Sequence, residues 1–298
     1  MKFFRIVNTQ IVAAEDCDVL GWPLDGDHYV IPDESLEKKK FLVYRTAFGV
    51  GDWGIIAAMP RMLKEAYPDS IVCIPSPHML FNTFGPSNRH GNWMNAYDIP
   101  AQLFMNNPYV DNVVDTWDDE IYHDHFRVYD NVDNDPVVLQ MLRFHKVNVT
   151  DSKNYLPDLY FSEREIDEYE KVKKQHFGTE PYVAFSARRS YAELKEANKS
   201  EKIANKLFAL LHEIADDYRQ YPAMVYNGTE FDFNLQMKMS MDNIPLRRLL
   251  YLLSGAHSVV GQQTGIFDTC CQYTKVDVVP HSNHIAENYL HAVNYRFI

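Results

Sequence analysis

Apolar runs and amphipathic stretches alternate along most of this chain of 298 residues. The run "FLVYR" (41–45) is apolar up to its arginine, as expected for a strand covered on both faces of a parallel sheet. Helical spacing follows. Ile55, Ile56, Met59, Met62, Leu63 and Ala66 recur at three- and four-residue intervals, with Pro60 set to kink the helix or mark its first turns. Pro68-Asp69 ends the pattern, and "IVCI" (71–74) reads as the next strand, so 41–74 is a β-α-β unit. Beyond it the signals weaken. "PAQLFMNN" is weakly helical, "DNVVDTW" and "FRVYDN" are short strands, and "PVVLQMLRFHKVN" suits a helix. A charged helix starts near Ser162, with Glu163 and Glu165 in its first turn.

From Pro181 a second alternation begins. "YVAFSA", "AMVYNG", "HSVVGQ" and "KVDVVP" read as strands. Between them lie helical patterns in "SEKIANKLFALLHEIADDY", "PLRRLLYLLSGA" and "TGIFDTCCQYT". In the first of these Ser200 is the N-cap and Ile203, Leu207, Leu210, Leu211 and Ile214 share one face. Residues 1–39 stand apart: "FRIVNTQIVA" and "HYVIP" are strand-like, separated by the turn-rich "GWPLDGD". The pattern predicts an α/β protein with two doubly wound, Rossmann-like halves. The divisions are an N-terminal β appendage over 1–39, a first domain over 40–160 and a second over 161–284. Residues 285–298 are expected to form a C-terminal helix packing back on the first domain.

A formal net charge of −12 argues against general nucleic-acid binding, which rests on rows of Lys and Arg against phosphates. The densest basic run, "EKKKF" (37–41), suits a solvated turn. Of the four cysteines, Cys17, Cys73, Cys270 and Cys271, none forms a C-x-x-C pair, and adjacent Cys270-Cys271 suits a disulfide poorly. The start breaks into polar residues too early for a signal peptide, and no apolar run reaches the ~18 residues of a membrane span. The expectation is a reducing, cytoplasmic location with at most peripheral membrane contact.

The candidate chemistry sits on three strand-to-helix turns. In the first, Gly49-Val50-Gly51-Asp52-Trp53-Gly54 spells G-x-G-x-x-G. A dinucleotide site also wants an acid about 20 residues on, at the end of the next strand. That strand ends Ile74-Pro75-Ser76-Pro77, without one. Asp52 is more informative: a carboxylate on a glycine-rich turn at the carboxyl end of a core strand, where open α/β sheets bind ligands. It suits a general base or a helix cap. In the second, "VAFSA" ends at Ser186-Ala187, and Arg188, Arg189, Lys195 and Lys199 follow as cations suited to a pyrophosphate or to a solvated loop. In the third, "HSVVG" runs into Gln262-Gln263-Thr264-Gly265, a phosphate-type helix entry or an ordinary β-α turn with a Thr cap.

These pieces, in this order, resemble the heptosyltransferase-like glycosyltransferases of family 9, which have the GT-B fold. The resemblance rests on Gly51-Asp52 followed by Pro60 and Pro68, on "NPYVD" (107–111), on "PDLYFS" (157–162) and on "AHSVVGQQTG" (256–265). It implies two Rossmann-like domains facing across a cleft. It also implies an inverting, metal-independent transferase with no cofactor beyond a nucleotide-sugar donor as co-substrate, and a glycan or lipid-linked acceptor. Asp52 matches the catalytic base. Lys199 matches a lysine that meets the donor phosphates, with Arg188 and Lys195 as alternatives. Glu230 matches an acid near the nucleoside, and Thr264 and Gly265 match the phosphate turn, with Gly51, Ser186 and Gln263 beside these groups. Two positions depart from the family pattern: Gln263 stands in place of Asp, and Asp268 in place of His. An inactive nucleotide- or glycan-binding protein is therefore the alternative. A metal-dependent transferase using Asp25-Gly26-Asp27, a nucleotide-sugar epimerase, a metal pair at His123 and His125, and sugar stacking on Trp53 are further readings.

Overall fold

The computed structural model describes residues 3–7, 10–14, 38–45, 49–84, 96–122, 137–147, 156–186, 201–226, 233–241, 244–262, 264–279 and 295–297. The chain forms two compact units, one of 1–161 with 245–247, the other of 162–244 with 248–298.

The first unit opens with a hairpin of β1 (Phe3–Val7) and β2 (Gln10–Ala14), paired antiparallel. Its main sheet is parallel, in the order β3 (Lys40–Leu42), β4 (Ile71–Pro75), β5 (Asn112–Val114). Every residue of the central strand β4 is buried, which explains its unbroken apolar run. The helix expected after β3 comes in two pieces, α1 (Val50–Gly54) and α2 (Met59–Ala66). Pro60 lies in the first turn of α2, where its missing N–H costs no intrahelical bond. The unit also holds α3 (Pro77–Phe84), α4 (Ile99–Leu103) and α5 (Val137–Phe144). Buried Arg247, which falls in this unit, donates to the carbonyl oxygens of Gln102 at 2.8 Å and Tyr160 at 2.6 Å. Arg61 of α2 meets the buried Asp158 carboxylate at 2.8 Å.

In the second unit the six strands among the described residues all run parallel, in the order β11-β10-β9-β6-β7-β8. They are β6 (Val183–Ser186), β7 (Pro222–Tyr226), β8 (Gln236–Ser240), β9 (Ser258–Gln262), β10 (Lys275–Val279) and β11 (Tyr295–Phe297). The first strand in chain order therefore lies inside the sheet, with the second and third on one side and the fourth to sixth on the other. This is the doubly wound dinucleotide-fold order, and it reverses direction between β6 and β9.

Alternation along β6 builds the layers. Val183 and Phe185 join a buried cluster with Leu211 and Ile214 of α7 (Glu201–Asp217). Tyr182, just before the strand, stacks on Phe177 at 4.1 Å and donates to the Leu252 carbonyl of α8 (Leu246–Ser254) at 2.6 Å. Helix α6 (Glu163–Phe177) starts at a capping box in which Ser162 Oγ accepts from Glu165 N–H and Glu165 Oε2 accepts from Ser162 N–H. The last helix among the described residues, α9 (Gly265–Thr269), is a single short turn after β9.

The sequence predicts a helix over 285–298, but Tyr295–Phe297 form β11 on the edge beside β10. Residues 285–294, the predicted strands "HYVIP" and "FRVYDN" and the Ser200 cap lie outside the described residues.

Candidate functional site

In the first unit the chain leaves β3 through Val43, Tyr44 and Arg45, all buried, and enters α1 at the N-cap Gly49. Asp52 is the third helical residue and closes the capping box: its Oδ2 accepts from Gly49 N–H at 2.9 Å. Glycine leaves room for this arrangement, since a Cβ at position 49 would lie 2.6 Å from that oxygen. The other oxygen, Oδ1, lies 3.8 Å from Nη1 of Arg45, which donates to the Asp52 carbonyl at 2.5 Å. Arg45 is 1% exposed, and the Asp52 side chain 34%. The carboxylate is thus held on one oxygen, flanked by a buried cation and open to solvent on the rest. The cap and the candidate base are one residue, and the cap fixes the orientation that a base requires. Gly51 sits beside it within α1.

Trp53 is not available to a sugar. It is fully buried, edge-on to Tyr44 and to Phe104 at 6.5 Å each, so its role is packing. The end of β4 carries no ribose-binding acid. Ser76 there accepts from Met79 N–H at 3.0 Å and caps α3, and its hydroxyl donates to Asp115.

In the second unit the described candidates Ser186, Thr264 and Gly265 lie at or just after β6 and β9, between which the strand order reverses. Ser186 ends β6 in register with Gly261 of β9. Gly261 has φ +104, and a Cβ there would stand 2.5 Å from the Ser186 carbonyl oxygen and 3.1 Å from its nitrogen. Only glycine permits this close approach of two backbones. Ser186 is 1% exposed, and its Oγ is buried without a hydrogen-bond partner among the described residues. Beyond Gly261 come the buried Gln262 and then Thr264, the N-cap of α9, whose hydroxyl accepts from Phe267 N–H at 3.4 Å. Gly265 is the first helical residue. Asp268 lies in the same turn and is buried.

Arg188, Lys195, Lys199, Glu230 and Gln263 lie outside the described residues, as do Asp25, Asp27, His123 and His125. Among the described residues no group of three His, Cys, Asp or Glu side chains could hold a metal ion. No helix among them is long and apolar enough to cross a membrane. Cys73, Cys270 and Cys271 are buried, and burial pushes the Cys73 and Cys270 thiols up to about 12, so none is a ready nucleophile.

Two participants escaped the sequence reading. Arg45 looked like the end of a strand. Gly261 looked like one more strand residue, although a glycine inside an apolar strand is itself a signal of close backbone approach.

No protein-family model matches the chain, and no curated protein matches it in sequence. Its backbone does superpose on that of a solved glycosyl transferase family 9 protein from Veillonella parvula DSM 2008. The TM-score is 0.54 over 82% of this chain and 81% of that one, at 12% identity. The chain has the fold of a family 9 glycosyltransferase. E. coli ADP-heptose LPS heptosyltransferase II superposes more loosely, at TM-score 0.43 and 13% identity over 87% of this chain and 90% of that one. In this fold the first unit's Asp52 turn and the second unit's Ser186–Gly261 junction both follow parallel strands at their carboxyl ends, where open α/β sheets take ligands.

Proposed function

We propose that the protein transfers a sugar from a nucleotide-activated donor to a hydroxyl of a glycan or lipid-linked acceptor, with inversion and Asp52 as general base. In this step the acceptor oxygen attacks the anomeric carbon while its proton passes to the Asp52 carboxylate. The bond from that carbon to the phosphate oxygen breaks, and the nucleoside diphosphate leaves with the electron pair. A base on the attacking hydroxyl and preorganised donors on the leaving diphosphate each lower the barrier. Oδ1 of Asp52, left out of the capping bond and partly open to solvent, is the proton acceptor. The diphosphate belongs at the β6–β9 junction, where Gly261 lets the two strands approach closely and Thr264 opens α9. Arg188, Lys195 or Lys199 would supply its counter-charge, Glu230 would meet the nucleoside, and Gln263 and Gly265 complete the turn. The chemistry needs no metal or further cofactor.

The observation that carries this reading is a half-exposed, oriented carboxylate after the first parallel strand of a chain with this fold. The test is a thermal-shift screen of nucleoside diphosphates and nucleotide sugars, followed by mass spectrometry for released nucleoside diphosphate. Stabilisation by one nucleotide and turnover of its sugar are expected. Failure of every nucleotide to stabilise the protein would overturn the reading.

One observation favours a second reading, nucleotide or glycan binding without transfer. Asp268, buried in the first turn of α9, stands where the resemblance expects a His, so the turn lacks a possible cation facing the leaving group. Nucleotide binding with no sugar release from any donor would select it.

A further inference from the structure

One side chain behind the Asp52 turn has no task yet in the proposed transfer. Arg45 closes the buried stretch that follows β3 and is 1% exposed, so it cannot touch a substrate. A buried guanidinium is costly unless its charge and its donors are met. Asp52 meets part of both. Nη1 of Arg45 donates to the Asp52 carbonyl at 2.5 Å and lies 3.8 Å from the carboxylate oxygen Oδ1.

The local backbone explains why that carbonyl takes a side-chain donor. α1 ends at Gly54, and the N–H groups of Ile55, Ile56 and Ala57 turn to the carbonyls of Gly51, Trp53 and Gly54. They pass over the Asp52 carbonyl, which sits at a helix end and needs a donor from elsewhere. The guanidinium supplies one from seven residues upstream. Because a guanidinium is rigid and planar, its hold on the carbonyl also fixes where its charge lies. Asp52 is thereby gripped at its main-chain oxygen by Arg45 and at Oδ2 by Gly49 N–H at 2.9 Å, with the cation facing Oδ1. At 3.8 Å the cation is beyond hydrogen-bond reach, so Oδ1 stays open to a proton.

We infer, on the reading of Asp52 as the base, that Arg45 is its positioning residue. It holds Asp52 so that Oδ2 stays on Gly49 and Oδ1 is presented to the acceptor hydroxyl. A reacting group displaced by about 1 Å can cost on the order of 10²-fold in rate, which gives such a hold leverage without any contact to substrate.

Amide hydrogen exchange, followed by NMR on the full chain, reads the hold directly and needs no substrate. The N–H of Val43, bonded to the Cys73 carbonyl at 2.9 Å, is the control within the same unit. Arg45→Met is expected to speed exchange at Gly49 about tenfold or more, the scale for losing a hydrogen bond to a charged group, and to leave Val43 unchanged. Arg45→Lys keeps the charge without the planar fork; it should speed Gly49 less, and it serves as the test should the methionine variant not fold. Gly49 exchange unchanged in every variant that folds, or Gly49 and Val43 accelerated together, would overturn the inference. Kinetics with the nucleotide sugar selected by the thermal-shift screen, scored as released nucleoside diphosphate, separate it from the base reading. Arg45→Met is expected to lower kcat roughly 10²-fold with the nucleotide thermal shift unchanged. Added to Asp52→Asn it should cost nothing more, because both changes act through one carboxylate. Losses that multiply in the double variant would make Arg45 merely structural and overturn the inference. Full transfer by Asp52→Asn would overturn the base reading, and with it the catalytic role of Arg45, even where the exchange result stands.

Discussion

Replacing Gly261 with alanine strikes the junction on which the second unit's site is built. Two terms set the size of the effect. At φ +104 an L-residue is in a sparsely populated conformation, which costs about 1–3 kcal/mol. The added Cβ would also stand 2.5 Å from the Ser186 carbonyl oxygen, and that oxygen belongs to the neighbouring strand rather than to a movable side chain. Overpacking of this kind costs roughly another 1–3 kcal/mol. Gly178 offers a control within the same unit. It has φ +65, but a Cβ there meets nothing within 4 Å, so Gly178→Ala carries the backbone term alone. Urea unfolding of both variants, followed by fluorescence, separates the terms. Gly261→Ala is expected to lose about 1–3 kcal/mol more than Gly178→Ala. Equal losses, or a Gly261→Ala loss below about 1 kcal/mol, would show that β6 and β9 do not approach as described.

Further outcomes follow from burial and capping. The His145 imidazole, at about 4 when folded, falls below its ordinary 6.5, so the unfolded chain binds a proton first. Its contribution is whole above pH ~6.5 and is lost as pH falls toward 4. The wild type should therefore lose about 2–3 kcal/mol more than His145→Gln between pH 7 and 4, read by urea unfolding. Cys73, Cys270 and Cys271 should stay unmodified by iodoacetamide at pH 8 until urea unfolds the chain, as mass spectrometry would show; labelling of any of them in the folded protein would refute their burial. Ser162→Ala should cost about 1 kcal/mol through loss of the α6 cap, measured in the same way.

The second unit was more legible than the first. β6 and β9 are buried along their full length and were visible as apolar runs, and the Ser162 box announced α6. β8 was missed. "QMKMS" does alternate, Met237 and Met239 against polar neighbours, but it carries no β-branched or aromatic residue and is an edge strand, exposed at three of its five residues and, among the described residues, paired only to β7. The template is β7, which the local sequence of 236–240 does not contain. β11 was hidden for the same reason, as a three-residue edge beside β10. α3 was missed although Ser76-Pro77 is a cap followed by a first-turn proline. For the site, the turn carrying Asp52 could be read from its glycines. The guanidinium behind it could not, since the approach of Arg45 across seven residues depends on the path of the loop. Burial of Trp53 likewise depends on Tyr44 and Phe104, which local spacing does not bring together.

The sharpest test concerns the Asp52 carboxylate. Asn is isosteric and can still cap the Gly49 N–H through its amide oxygen, but it cannot take a proton. With the donor found by the nucleotide screen, Asp52→Asn is expected to keep the wild-type thermal shift with the nucleotide and to lose transfer by 10²-fold or more, the usual scale for removing a general base. Transfer by Asp52→Asn at the wild-type rate, with nucleotide binding unchanged, would contradict the assignment of this carboxylate as the base.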